Sequence, residues 1–182
     1  MRTQPVARHP GCSESSASGS PLAKLVELVV QRLALAQDVA AVKYASGEPI
    51  DDPVREQEVL RSAARALNAS GLNRRIGIEF FGDQIEASKV IQRGLFHRWY
   101  AHPDEIPDGH GSLAAEVRPK LDRVTGQIVR QLGCLDEMPR LQQHDWAGLV
   151  GRRVFTTTPG RQLPGLHRHA TAFALRSFCA DF

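Results

Sequence analysis

An all-α fold, a single-domain bundle of about six helices, is what this sequence predicts. From Pro21 onward apolar residues recur at spacings of three and four, and alternating β-branched stretches are few. Helix start and stop signals divide that pattern into segments of helical length. At 182 residues the chain is long enough to bury a core and short enough for one domain, read here as residues 21–182 behind a tail, residues 1–20.

The tail MRTQPVARHPGCSESSASGS has the Ser-, Gly- and Pro-rich composition of disorder, and it lacks the apolar core of a secretory signal. The first helix is expected over about Leu22–Ala45, stopped by Gly47 and Pro49. Asp52 before Pro53 reads as an N-cap with proline at the first helical position, opening a second helix that ends near Asn68–Gly71. A third covers about Arg74–Tyr100, and HPDEIPDGHGS interrupts it with turn residues. A fourth is expected from near Ser112 to Gly133, and shorter helices around Leu135–Leu149 and Gly165–Ala180 close the chain about the TTTPGRQLPG loop.

Composition excludes several function classes. The balance of 23 Lys+Arg against 20 Asp+Glu is only +3, aromatics are 6%, and no basic run is interleaved with stacking residues, so a nucleic-acid binder is disfavoured. The longest apolar run, Leu25–Val30, is broken by Glu27 and falls far short of the roughly 20 residues of a membrane span. Among the histidines, His167 and His169 are too close for an i, i+4 helical ligand pair, and a metal site is not expected.

Helix phase supplies the sharpest internal signal. Leu22, Val29, Leu33, Ala36 and Ala40 form the stripe of the first helix, and Arg32 and Lys43 lie inside its edge. Three turns apart, the two cations project from one face, roughly 16 Å along the axis. On the third helix Phe81, Ile85, Leu95 and Trp99 define a stripe whose centre holds Ser88 and Gln92, spaced i, i+4. Glu56 lies within the second helix's stripe of Leu60, Ala64 and Leu67, and Arg55 flanks it. Buried charges without partners cost several kcal/mol, so these groups must meet one another or a ligand. A structural ion-pair network is the plainer reading of any single residue; five on three helices favour a cationic pocket suited to a small carboxylate.

The stretch RLALAQDVAAVKYASGEPIDDPVREQEVL and the later DQIEASKVIQ resemble the chorismate mutases of the all-helical type. Arg, then VAxxK, then PIxDPxREQxxL keeps the family's spacing throughout. The C-terminal helices and two cysteines bring the chain nearer the secreted, periplasmic subclass than the short helix-swapped enzymes. The resemblance implies rearrangement of chorismate to prephenate, on the route to phenylalanine and tyrosine, with no cofactor or metal, in a homodimer whose site lies within each protomer. Arg32, Lys43, Asp52, Arg55, Glu56, Ser88 and Gln92 fall on the family's active-site positions. Arg118 is the candidate for a further arginine from another helix; Pro119 biases it away from helical geometry, and Arg123 is the alternative.

By the same resemblance Arg32 and Arg118 bind the substrate carboxylates with help from Arg55, Lys43 and Gln92 donate to the ether oxygen, and Glu56 accepts the substrate hydroxyl. Asp52 caps the second helix, and Ser88 binds a carboxylate oxygen. Val59 stands where some relatives carry a polar residue. A disulfide between Cys134 and Cys179 is implied too, the alternative being two buried thiols. Cys12 is left over. An isochorismate pyruvate lyase-like activity, or an inactive relative that binds a metabolite, are the competing functions.

Overall fold

The computed structural model describes residues 20–72, 74–107, 112–136 and 164–181. The described residues are all-helical, with no strand among them. Helix α1 spans Pro21–Ser46, α2 Pro53–Ala69 and α3 Arg74–Ala101. A 3₁₀ turn, Pro103–Glu105, follows α3, and a π turn, Leu113–Val117, leads into α4, Arg118–Asp136. Helices α5, Pro164–Ala174, and α6, Arg176–Asp181, complete the described chain. The expected helix near Leu135–Leu149 lies outside the described residues, apart from its first two positions, which belong to α4.

Each boundary of the first half has a local cause. The Ser20 hydroxyl accepts from the Ala23 N–H at 3.2 Å ahead of Pro21, which needs no partner for its nitrogen. Gly47 ends α1 with φ +72°, returning its N–H to the Lys43 carbonyl, a left-handed cap that disfavours side chains. Asp52 caps α2 by accepting from the Arg55 N–H at 3.0 Å, while Glu56 reaches back to the Asp52 N–H at 3.3 Å. The two exchange bonds in the manner of a capping box.

Two expectations for the second half are corrected. Gly133 does not stop α4, which continues to Asp136; Gly133 is buried, and packing overrides its poor helix propensity. The C-terminal segment is two helices broken at Leu175, whose N–H bonds three residues back to Ala172. Asp83 of α3 holds that break: it accepts from Arg176 at 2.8 Å, from the Ser177 N–H at 3.2 Å and from the Ser177 hydroxyl.

The core lies around α3, which touches α1, α2, α5 and α6, while α4 packs on α1. Trp99, Phe80, Phe81 and Phe178 are its largest fully buried side chains. Tyr44 of α1 stands edge-on to Phe96 and Trp99 at 5.1 and 5.5 Å, a favourable quadrupole arrangement. All five residues of the predicted α1 stripe are buried.

Candidate active site

A cavity of about 110 Å³ opens between α1, α2, α3 and the start of α4. Arg32 and Lys43 reach it from α1, Asp52, Arg55 and Glu56 from the start of α2, Ser88 and Gln92 from α3, and Arg118 from α4. Every candidate site residue thus lines one space. Arg118 is helical, with φ −58° and ψ −44°. The preceding π turn carries the chain into α4 despite Pro119, so the expected bias does not operate. Arg123 is exposed and does not line the cavity. Val39, Ile50, Val59, Ile85, Leu113 and Leu121 make the apolar walls, and Val59 leaves its side of the pocket without a hydrogen-bonding group.

Arg32 is 5% exposed. Burial pushes its guanidinium down to about 10, opposed by the charge of Asp122 and reinforced by Arg55. One of its nitrogens donates to the Gln84 carbonyl at 3.4 Å. Its Nε and the Gln92 Oε1 are buried without a hydrogen-bond partner among the described residues, a cost of about 1 to 3 kcal/mol for a neutral group and more for a charged one. Lys43, also buried, donates to the Pro49 and Ile50 carbonyls at 2.9 and 2.8 Å. An ammonium has three N–H donors; two are committed to the loop, which aims the third. Desolvation lowers the Lys43 pKa against the pull of Asp52, Glu48, Glu56 and Asp51.

Arg55 is held differently. It pairs with Glu58 and with Asp122 of α4, both at 3.3 Å and both with well-exposed carboxylates. Such pairs are worth about 0 to 1 kcal/mol, so a ligand carboxylate exchanges for them readily. Gln92 donates from Nε2 to the Ser88 hydroxyl at 3.1 Å.

Lys89 was not among the sequence candidates, yet it lines the same cavity and is 8% exposed. Helix phase contained the signal: Lys89 stands four residues after Ile85 and three before Gln92, on the same face. Asp122 was missed as well, although it stands four residues after Arg118 on the same face of α4. In sum five cations (Arg32, Lys43, Arg55, Lys89, Arg118) face three carboxylates (Asp52, Glu56, Asp122) around the space. Arg32 and Lys43, hydrogen-bonded to main-chain carbonyls, keep their charge for an anionic ligand such as a carboxylate.

Comparison with known proteins agrees with that chemistry. Residues 23–93 match the family model of chorismate mutase type II. The secreted chorismate mutase of Mycolicibacterium smegmatis is 29% identical over 160 residues, 88% of this chain and 87% of that protein. The crystal structure of chorismate mutase from Burkholderia thailandensis superposes with a TM-score of 0.76 at 33% identity, covering 88% of this chain and all of that one. The Burkholderia phymatum chorismate mutase gives 0.78 at 30% identity over 87% and 96% of the two chains.

Proposed function

The chain belongs to the chorismate mutase type II family, and from that premise we propose that the cavity between α1, α2, α3 and α4 is where it rearranges chorismate to prephenate. The observation that carries the assignment to this cavity is the convergence of Arg32, Lys43, Arg55 and Arg118 on it from three helices, with Arg32 and Lys43 hydrogen-bonded to main-chain carbonyls. Chorismate is a dicarboxylate, and its rearrangement is unimolecular: one C–O bond breaks as one C–C bond forms, and no proton or nucleophile is supplied.

The protein's task is therefore to hold the folded conformer and to stabilise charge that develops on the ether oxygen. Arg32 and Arg118 bind the carboxylates, and Arg55 joins them by releasing Asp122 and Glu58. Ser88 contributes a hydroxyl to a carboxylate oxygen. Lys43 offers its one uncommitted N–H to the ether oxygen. Gln92 donates beside it: one amide N–H holds the Ser88 oxygen, which leaves the serine proton for the carboxylate, and the other amide N–H serves the ether oxygen. Glu56 accepts the ring hydroxyl, and Asp52 fixes the turn of α2 that presents it.

The same reading includes an extracytoplasmic location, supported by the name of the secreted M. smegmatis relative, and a homodimer. It also includes a bridge between Cys134 and Cys179, supported by Cys134 being disulfide-bonded; the Cys179 side chain lies outside the described residues.

Loss of chorismate ultraviolet absorbance on adding the protein, with prephenate identified as the product, tests the function. Pyruvate release instead would make the chain a lyase. Lys43→Ala should lower kcat by about 10²- to 10³-fold, the scale for removing a donor aimed at developing charge. An active Lys43→Ala enzyme would dismiss Lys43 from the ether oxygen.

A further inference from the structure

Lys89 has no role in the reaction as derived so far. Its side chain is 10% exposed and its ammonium sits between three carboxylates: Glu86 at 2.6 Å on its own helix, Asp51 at 3.2 Å from the α1–α2 loop, and Glu56 at 3.3 Å on α2. Burial works against its charge, and the three carboxylates more than offset that, so its pKa lies above the ordinary lysine value. With anions on three sides, this lysine has little charge left to offer a substrate carboxylate. Its contact with Glu56 is of another kind, for it donates to both oxygens.

Glu56 carries three side-chain torsions and is only half-buried. Unanchored, it would sample several rotamers at the mouth of the cavity. Lys89 grips the carboxylate from α3 while the Asp52 N–H holds Oε1 from the helix start at 3.3 Å. Asp51 extends the arrangement, since it also accepts from Arg93 of α3 at 2.9 and 3.1 Å and belongs to the loop whose carbonyls hold Lys43.

We propose that Lys89 is a positioning residue, fixing the Glu56 carboxylate in the orientation that accepts the substrate hydroxyl and tying it through Asp51 to the loop that aims Lys43. This rests on the reaction assigned above, and its test separates the two. Prephenate formation would be measured for the wild type, Lys89→Met, Lys89→Arg, Glu56→Ala and the Glu56→Ala/Lys89→Met double variant, with a thermal melt of each. Prephenate affinity by calorimetry is the parallel readout where turnover is slow.

Lys89→Met should lower kcat/KM by about tenfold, the scale of one charge-assisted hydrogen bond. Lys89→Arg, which keeps the charge and can fork onto a carboxylate, should restore most of it. In the Glu56→Ala background Lys89→Met should cost less than about twofold, because its target is already gone. An undiminished loss in that background would overturn the proposal, showing that Lys89 acts on substrate directly or only on the fold; so would wild-type kinetics in Lys89→Met. Should Lys89→Met give no cooperative melt, Lys89→Gln goes through the same cycle with the same criteria. A wild type that forms no prephenate defeats the reaction itself, a result distinct from a cycle that shows no coupling.

Discussion

Arg32 and Lys43 are charged where charge is expensive, and the two consequences of that run in opposite directions with pH. Burial lowers both pKa values, Arg32 to about 10 from the ordinary arginine range. The proposed roles use the protonated forms, so activity should persist through neutral pH and fall on an alkaline limb that begins below the ordinary range of these side chains. Stability follows the other sign. From about 10 up to the ordinary arginine range the unfolded chain holds the Arg32 proton more tightly than the folded one, so this group's contribution to stability rises with pH across that window. Profiles of kcat/KM and of melting temperature, taken on one set of samples, should diverge there in sign. The acid side tests Gln92: an amide needs no proton to donate, and a rate that collapses above about pH 6 would mean that a carboxylic acid does this work elsewhere. At this scale the sequence was informative where a polar residue interrupted an apolar stripe, as at Arg32, Lys43 and Gln92. At Lys89 helix phase gives the face shared with Ile85 and Gln92, but the partners that define its role, Glu56 and Asp51, come from other elements.

Among the elements, α2 and α3 come closest at Gly77, where an added Cβ would lie 2.0 Å from Leu67 Cδ1. Leu67 is 1% exposed, so it has little room to turn away. Gly77→Ala should therefore destabilise the protein by about 1 to 3 kcal/mol, the usual cost of overpacking, despite the gain in helix propensity. Unfolding in urea measures it, and an unchanged midpoint would show that Leu67 adapts freely. The same contact explains which boundaries could be read in advance. Gly47 and Pro53 act through their own backbones and Asp52 through a side chain that bonds three residues on, so α1 ends and α2 begins where those residues stand. Gly133 fails as a stop because its surroundings, not its φ/ψ freedom, decide its state. The break at Leu175 has no glycine or proline to announce it, and follows from Asp83 ninety-two residues earlier in the chain.

For the molecule as a whole, every candidate site residue comes from one chain. The described lining residues suffice to build the pocket, so if a homodimer forms, turnover per protomer should stay constant on dilution through the dimer's dissociation range. Light scattering beside the rate would show it, and a rate that falls with the dimer fraction would place a partner's residue in the site. A Cys134–Cys179 bridge would join the end of α4 to α6, outside the cavity. Its reduction should cost about 2 to 4 kcal/mol of stability and leave kcat nearly unaltered at temperatures where the reduced protein stays folded; parallel loss of both would show that the bridge shapes the site. The anchoring of Lys43 has a consequence on an evolutionary scale. Its two fixed partners are main-chain carbonyls, which every residue type possesses, so position 49 is free to drift in side chain provided the loop keeps its path, while Ile50 is held apolar by its place in the cavity wall. A one-residue insertion or deletion between Gly47 and Asp52 is a different matter, because it would withdraw both acceptors at once, and lineages of this enzyme should tolerate substitution there far better than a change of length.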